Sequence, residues 1–371
     1  MPKSRLLKKV DMLYKILYSM HDLFSPLNVF RYITFRTALA IITAMVFSLI
    51  IGPSIINRLK KISITQQIRD DGPQSHLKKS GTPTMGGIII IISIIFAILL
   101  WGDLGNLYIW IMVVSLLGYG SIGLLDDYLK VIKKNSKGLR ACYKFGAQIA
   151  LALVIGILLY KNPNDPYKSV LSVPFFKRWL FELGWFYIPF SILVIVGSSN
   201  AVNLTDGIDG LAIGLVGIAS LANMVLVYIS GNAKFAQYLQ VLYLQGTGEL
   251  TVFCGAILGA SLGFLWFNSY PADVFMGDVG SLGLGGALGT LAIITKHEIV
   301  LAIVGGIFVI ETLSVLFQVA SFKLTGKRIF KMAPVHHHFE LKGWHESKVI
   351  VRFWIIGIML ALLSLATLKL R

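Results

Sequence analysis

The sequence predicts an all-α polytopic integral membrane protein with about ten transmembrane helices and an amino-terminal interfacial helix. Three observations predict it. First, 56% of the 371 residues are hydrophobic and only 14% charged, with a mean hydropathy of +0.74. Soluble domains run nearer to roughly 45–50% apolar and about 25% charged. Second, apolar stretches approaching the roughly 20 residues that cross the hydrocarbon core recur along the whole chain. Third, Lys and Arg gather in alternate connections between those stretches, as topology signals do.

The stretches run over 37–56, 85–101, 107–125, 145–160, 183–203, 210–230, 250–267, 279–295, 299–322 and 353–369. Residues 12–33 carry aromatics and scattered charges, which suits a helix lying in the interface rather than a span. The run Gly280-Ser281-Leu282-Gly283-Leu284-Gly285-Gly286 has the small residues that let helix backbones approach closely in lipid. No linker divides the chain, so residues 1–371 form one membrane domain, and residues 1–11 read as an added or variable leader ahead of Met12. No short apolar core with a cleavage site follows the basic Met1–Val10 stretch, so a cleavable signal peptide is not expected there. Cys142 and Cys254 make neither a disulfide framework nor a zinc site.

The net charge of +16 comes from 34 Lys+Arg against 18 Asp+Glu. In such a chain it signals topology and attraction for anionic ligands rather than nucleic-acid binding. The connections after the first, third and ninth spans carry Arg58, Lys60, Lys61, Arg69, Lys78 and Lys79, then Lys130, Lys133, Lys134, Lys137, Arg140 and Lys144, then seven more from Lys323 to Arg352. The opposite loops carry far fewer. The odd-to-even loops are therefore expected in the cytoplasm and both termini outside. The amino-terminal Lys3, Arg5, Lys8, Lys9 and Lys15 oppose this, but the loop asymmetry is larger.

The carboxylates are the strongest chemical signal. Asp126 and Asp127 end the third span, Asp206 and Asp209 follow the fifth, and Asp278 lies between the seventh and eighth. All are expected at one membrane face. Acids at the membrane edge are costly unless solvated, paired or used, and a cluster from three loops favours use over three solvated helix ends. Carboxylates without His or Cys partners at ligand spacing suit Mg²⁺, which keeps waters and bridges to phosphates, and argue against zinc. Lys79, Lys130 and Lys144 on the same face would hold a polyanion, so phosphoryl-type transfer is the natural reaction class. Adjacent Asp126 and Asp127 point about 100° apart on a helix, so one should act on the reaction and the other position it.

Asn200, Asn203, Asp206 and Asp209 stand in Ser199-Asn-Ala-Val-Asn-Leu-Thr-Asp-Gly-Ile-Asp-Gly210. That density of amides and acids fits either a helix stop and restart or recognition of a base or sugar. Phe275, three residues before Asp278, could stack on a base or simply pack. His336, His337 and His338 cannot share one helix face, so they suit a polar wall for phosphate or sugar, or a solvated loop, better than a triple-ligand metal site. Glu311 sits alone within the ninth span, where a functional role and a hydrogen bond to a neighbouring helix are both open.

On these motifs the chain resembles the phospho-N-acetylmuramoyl-pentapeptide-transferase (translocase I) family of the polyprenyl-phosphate N-acetylhexosamine-1-phosphate transferase superfamily. The resemblance runs from Arg31-Tyr-Ile-Thr-Phe-Arg36 to the carboxyl terminus. It rests on Ser75-His76, Gly81-Thr-Pro-Thr-Met-Gly-Gly87, Asp126-Asp127-Tyr128, Asn200 to Gly210, Phe267-Asn268, Phe275-Met-Gly-Asp-Val-Gly-Ser281 and His336 to His338. The run Pro334-Val-His-His-His-Phe-Glu340 is similar to the muramoyl-pentapeptide branch rather than the N-acetylglucosamine-1-phosphate branch. The resemblance implies ten transmembrane helices in the bacterial inner membrane, a cytoplasmic active site, outward termini and a homodimer. It implies transfer of phospho-MurNAc-pentapeptide from UDP-MurNAc-pentapeptide to undecaprenyl phosphate, with Mg²⁺, giving lipid I and UMP in peptidoglycan synthesis. Carried residue by residue, it implies Asp278 as the metal ligand and Asp126 and Asp127 as the catalytic pair. Phe275 would stack on uracil, Asn203, Asp206 and Asp209 would line the nucleoside pocket with Lys79, and Asn200 would be a further substrate-binding residue. Lys130, Lys144 and His336 to His338 would serve the phosphates and sugar. Direct attack by the lipid phosphate and a covalent enzyme intermediate both stay open. The rivals are a UDP-GlcNAc-using sister enzyme and, from another class, a transporter or flippase.

Overall fold

Apolar runs with no charge to solvate close their backbone hydrogen bonds within a helix, and that is how the stretches appear in a computed structural model. The structure describes residues 13–61, 81–131, 138–163, 165–176 and 179–369. A short helix α1 (Leu13–Ser19) and a 3-10 turn (Ser25–Arg31) precede α2 (Ile33–Lys61), α3 (Gly87–Trp101), α4 (Leu107–Val131) and α5 (Ala141–Tyr160). A small antiparallel hairpin of β1 (Val170–Ser172) and β2 (Leu180–Glu182) leads to α6 (Tyr187–Thr205), α7 (Leu211–Ser230), α8 (Ala233–Leu239) and α9 (Leu250–Asn268). The chain ends with α10 (Gly277–Thr295), α11 (Glu298–Val304), α12 (Gly306–Thr325), α13 (Val335–Glu340) and α14 (Glu346–Ala366). Among the described residues nine helices are long and apolar enough to cross a membrane, and α3, at 15 residues, is a shorter apolar one.

The differences from the sequence reading have local causes. Hydropathy ends a span where polar residues begin, but the helix continues: α4 runs past Asp126 and Asp127 to Val131, with Lys130 paired to Asp126 one turn back at 2.8 Å. Likewise α14 starts at Glu346, well before the apolar core of its span. The ninth span breaks at Gly305 into α11 and α12. The expected interfacial helix is two short pieces, and the three-residue strands were too short to show any periodicity in sequence.

Helix α10 is the centre of the bundle, buried from Val279 to Thr295. Its glycines make this possible. A Cβ on Gly87 of α3 would overlap the backbone of Gly280, and one on Gly123 of α4 would overlap the Asp278 carbonyl. Close backbone approach of this kind is what small residues provide where lipid gives no hydrophobic drive for helix association. The start of α10 is further fixed by the strand-like segment before α3: Phe275 donates to the Pro83 carbonyl and Gly86 to that of Phe275, each at 2.8 Å, and Gly87 donates to that of Met276 at 2.8 Å.

The bundle has two chemically unlike ends. The acids lie at the end holding the carboxyl ends of α4 and α6 and the start of α10. The other end is tied by Arg36, which donates to both Glu249 oxygens at 2.8 and 2.6 Å and stacks on Tyr14 at 4.3 Å. Lys15 pairs with Asp103 there at 2.9 Å. A second buried group at that end joins Lys296, Tyr187, Glu298 and Asp165. Lys369 lies over the Tyr238 ring, so both ends of the described chain stand opposite the acids.

Candidate active site

Three helix ends supply the site because each places one polar turn at the same level. Asp126 lies on the last turns of α4, Lys144 on the first turn of α5 and Asp278 on the first turn of α10. Lys144 Nζ lies 2.9 Å from Asp126 Oδ2 and 2.7 Å from Asp278 Oδ2. Lys130 Nζ repeats the bridge at 2.8 and 3.0 Å. Two ammonium groups thus hold two nearly buried carboxylates together. The chain after α4 returns to this point, where Leu139 N–H donates to Asp126 Oδ1 at 2.7 Å.

Asp127 faces elsewhere, as the 100° step on a helix requires. Its Oδ2 accepts from Val279 N–H at 3.3 Å, so it sits against the amino end of α10, where a negative charge is favourable. Asp126 faces the lysines and Asp127 the backbone that carries Asp278.

From α6, Asn203 Nδ2 donates to Asp278 Oδ1 and to Ser281 Oγ, both at 2.8 Å. Asp206 follows, half-buried beside the same group. Burial, with the charges of Asp278, Asp127 and Asp209, pushes its carboxyl up to about 8. Asn200 turns away to Gln148 Oε1 at 2.7 Å. Asp209 is buried and holds backbone: its Oδ2 accepts from Ala272 N–H and its own N–H donates to Glu346 Oε1, both at 3.0 Å. Phe275 is half-buried at the same end, on the segment paired to Pro83 and Gly86.

The three histidines diverge. His336 is wholly buried, 3.2 Å from Glu311. His337 pairs with Glu340 at 2.7 Å, and His338 Nδ1 accepts from Lys331 N–H at 3.1 Å. Burial, then Lys342 and Lys331, lowers the His338 pKa. Lys79 lies outside the described residues. The site therefore gathers Asp126, Asp127, Lys130, Lys144, Asn203, Asp206 and Asp278, while Asn200 and Asp209 brace its walls.

Sequence reasoning did not single out Gln148, Ser281, Asn268 or Glu346. Ser281, one turn after Asp278 on α10, carried a readable spacing. Asn268, which accepts from Gly210 N–H at 3.0 Å and donates to the Val274 carbonyl at 2.8 Å, stood in a quoted motif but had no visible partner. Among the described residues no group of three His, Cys, Asp or Glu surrounds a common metal position. The oxygen-only donors of Asp278 and Asp126 are still the right kind for a hard cation that takes few protein ligands and completes its shell with water and phosphate.

A helical membrane bundle with acids and lysines converging at one end falls first into a broad class. The family model for Glycosyl transferase family 4 matches residues 109–296, the stretch from α4 to the end of α10. The narrower placement comes from the Phospho-N-acetylmuramoyl-pentapeptide-transferase signature 1 at residues 79–91 and from full-length relatives. Phospho-N-acetylmuramoyl-pentapeptide-transferase of Thermodesulfovibrio yellowstonii is 70% identical over 97% of this chain and all of its own length. Those of Citrifermentans bemidjiense and Syntrophus aciditrophicus are 57% and 55% identical with the same coverage. The chain belongs to the phospho-N-acetylmuramoyl-pentapeptide-transferase family.

Proposed function

We propose that this protein transfers phospho-MurNAc-pentapeptide from UDP-MurNAc-pentapeptide to undecaprenyl phosphate, forming lipid I and releasing UMP. The observation that carries this reading is the 70% identity to a phospho-N-acetylmuramoyl-pentapeptide-transferase across the length of the chain. The acid-and-lysine end is the chemistry such a reaction needs, because two phosphate-bearing substrates must meet despite their charge.

In this reading the Lys130 and Lys144 ammonium groups, which here bridge Asp126 and Asp278, turn toward the donor pyrophosphate and neutralise it. Asp126 orients the lipid phosphate and accepts its proton. The phosphate oxygen then attacks the sugar-bearing phosphorus, and the bond to the UMP phosphate breaks with its electrons going to UMP. Asp127 keeps the start of α10 in place through Val279. Asn203 and Asp206 face the nucleoside, with Phe275 available to stack on the base. Asp278 would hold Mg²⁺, which when bound withdraws negative charge from the pyrophosphate. The loop charges support a cytoplasmic active site and outward termini in the bacterial inner membrane. The family resemblance supports a homodimer.

The test is UMP release by purified protein in detergent, which has no membrane compartment across which a carrier could transport. Release from UDP-MurNAc-pentapeptide with undecaprenyl phosphate, lost on chelation of Mg²⁺, is expected. Preference for UDP-GlcNAc in the same assay would move the protein to the sister branch, and no UMP from either donor would remove the transferase reading.

A further inference from the structure

Glu311, on α12, is an acid within a membrane-spanning helix that the mechanism above does not use. It is wholly buried, and so is His336 of α13, whose Nδ1 lies 3.2 Å from Glu311 Oε1. Apart from this contact, neither carboxylate oxygen and neither ring nitrogen has a polar partner among the described residues. An intramembrane carboxylate is costly unless paired, so the His336 ring is its partner. On its other side the imidazole meets Gly207, where an added Cβ would overlap Nε2 and Cε1. The ring is wedged between the Glu311 carboxylate and the backbone of the 200–210 segment.

Gly207 directly follows Asp206 and stands four residues after Asn203, which itself donates to Asp278 at 2.8 Å. Asp206 N–H in turn donates to the Asn203 carbonyl at 3.3 Å, closing the helix end just before the contact. Any tilt of the imidazole is passed to this bend, because a close-packed contact with no side chain between has no slack. We propose that Glu311 is a positioning residue: it pins His336 against Gly207 and so sets the bend after α6 that aims Asp206, beside Asn203 on the last turn of the helix, at the donor nucleotide. This rests on the reading of those two residues as donor-side groups. His336, expected from sequence in a wall facing phosphate or sugar, then acts through the backbone instead.

The experiment measures KM for donor and for lipid acceptor, with kcat, in the full-length protein in detergent. Glu311→Ala is expected to raise donor KM at least tenfold with acceptor KM within twofold. Glu311→Gln, which keeps an acceptor oxygen, should stay within threefold of wild type, and Glu311→Ala with His336→Ala should be no worse than the worse single variant. Donor KM within twofold in Glu311→Ala, equal rises in both KM values, or no rescue by Gln would overturn the proposal. If Glu311→Ala does not fold, Gly207→Ala decides: it displaces the ring with Glu311 intact, so the same donor-KM rise is expected and an unchanged donor KM overturns it. A wild type that releases no UMP removes the transferase reading and this proposal with it, whereas a working wild type with unshifted variants removes this proposal alone.

Discussion

Lys144 donates to Asp278 across 2.7 Å, joining the first turn of α5 to the first turn of α10. Both residues begin apolar helices, and each has a second partner there, Lys144 in Asp126 at 2.9 Å and Asp278 in Lys130 at 3.0 Å. In the proposed reaction, a donor phosphate that takes the Lys144 ammonium would leave the Asp278 carboxylate to a cation. Lys144→Ala is expected to lower kcat/KM by at least about a hundredfold, since it removes a charge that acts on the transition state. A tenfold or smaller loss in the UMP-release assay would show that Lys130 suffices.

Asp278→Asn should abolish turnover while leaving the fold, because Asn203 and the lysines keep neighbours at that position. Size-exclusion profile and thermal unfolding in detergent check the fold. Full turnover by this variant with Mg²⁺ present would exclude Asp278 as the metal ligand.

Direct attack and a covalent intermediate are separated by incubating the enzyme with sugar-labelled donor and no lipid. Asp126 is tied by two ammonium groups at Oδ2 and the Leu139 N–H at Oδ1, so both oxygens that could attack phosphorus are already engaged. No label is expected to stay on the denatured protein. Stable label lost in Asp126→Asn would establish the two-step route.

Far from the site, burial pushes the Glu298 carboxyl up to about 7, against the opposing charge of Lys296 and the hydrogen bond it accepts from Tyr187. The folded state then keeps a proton that the unfolded chain releases above about 4.5. Its contribution is complete below about 4.5 and is lost as pH rises toward 7. The stability of wild type relative to Glu298→Gln should therefore fall as pH is raised from 5 to 7 and then level off. A stability difference independent of pH over that interval would refute the assignment.

Gly123→Ala puts a methyl group into the Asp278 carbonyl. Overpacking of this kind costs about 1–3 kcal/mol. Because the displaced atom belongs to the site, activity should fall further than the loss of stability explains. Thermal unfolding and kcat measured on the same preparation test this.

The opposite end of the bundle offers a test without catalysis. Breaking the buried Arg36 and Glu249 pair with Glu249→Ala should cost about 3–5 kcal/mol, and replacing both by apolar residues of similar size should recover most of it. Thermal unfolding of the single and double variants decides.

Most of the fold was legible because a membrane span is a composition, not a pattern of contacts. About 20 apolar residues must become a helix in lipid wherever they fall. The helix ends were not legible, since the polar turns that extend α4 and α14 are stabilised by partners such as Lys130 and Asp209 rather than by hydropathy. The break at Gly305 and the three-residue strands β1 and β2 likewise leave no mark on hydropathy.

The sequence by itself determined which residue types could do chemistry here, because acids and lysines beside apolar helices are costly enough to stand out. It also determined the roughly 100° divergence of Asp126 and Asp127, which is a property of any α-helix. Only the tertiary structure decided direction. It turned Asn203 to Asp278 but Asn200 to Gln148, gave Asp209 to the Ala272 backbone, and buried His336 between Glu311 and Gly207. The reason is physical: a polar side chain pays for burial with whatever partner lies within reach, and reach is fixed by how helices distant in sequence pack, not by the neighbours along the chain.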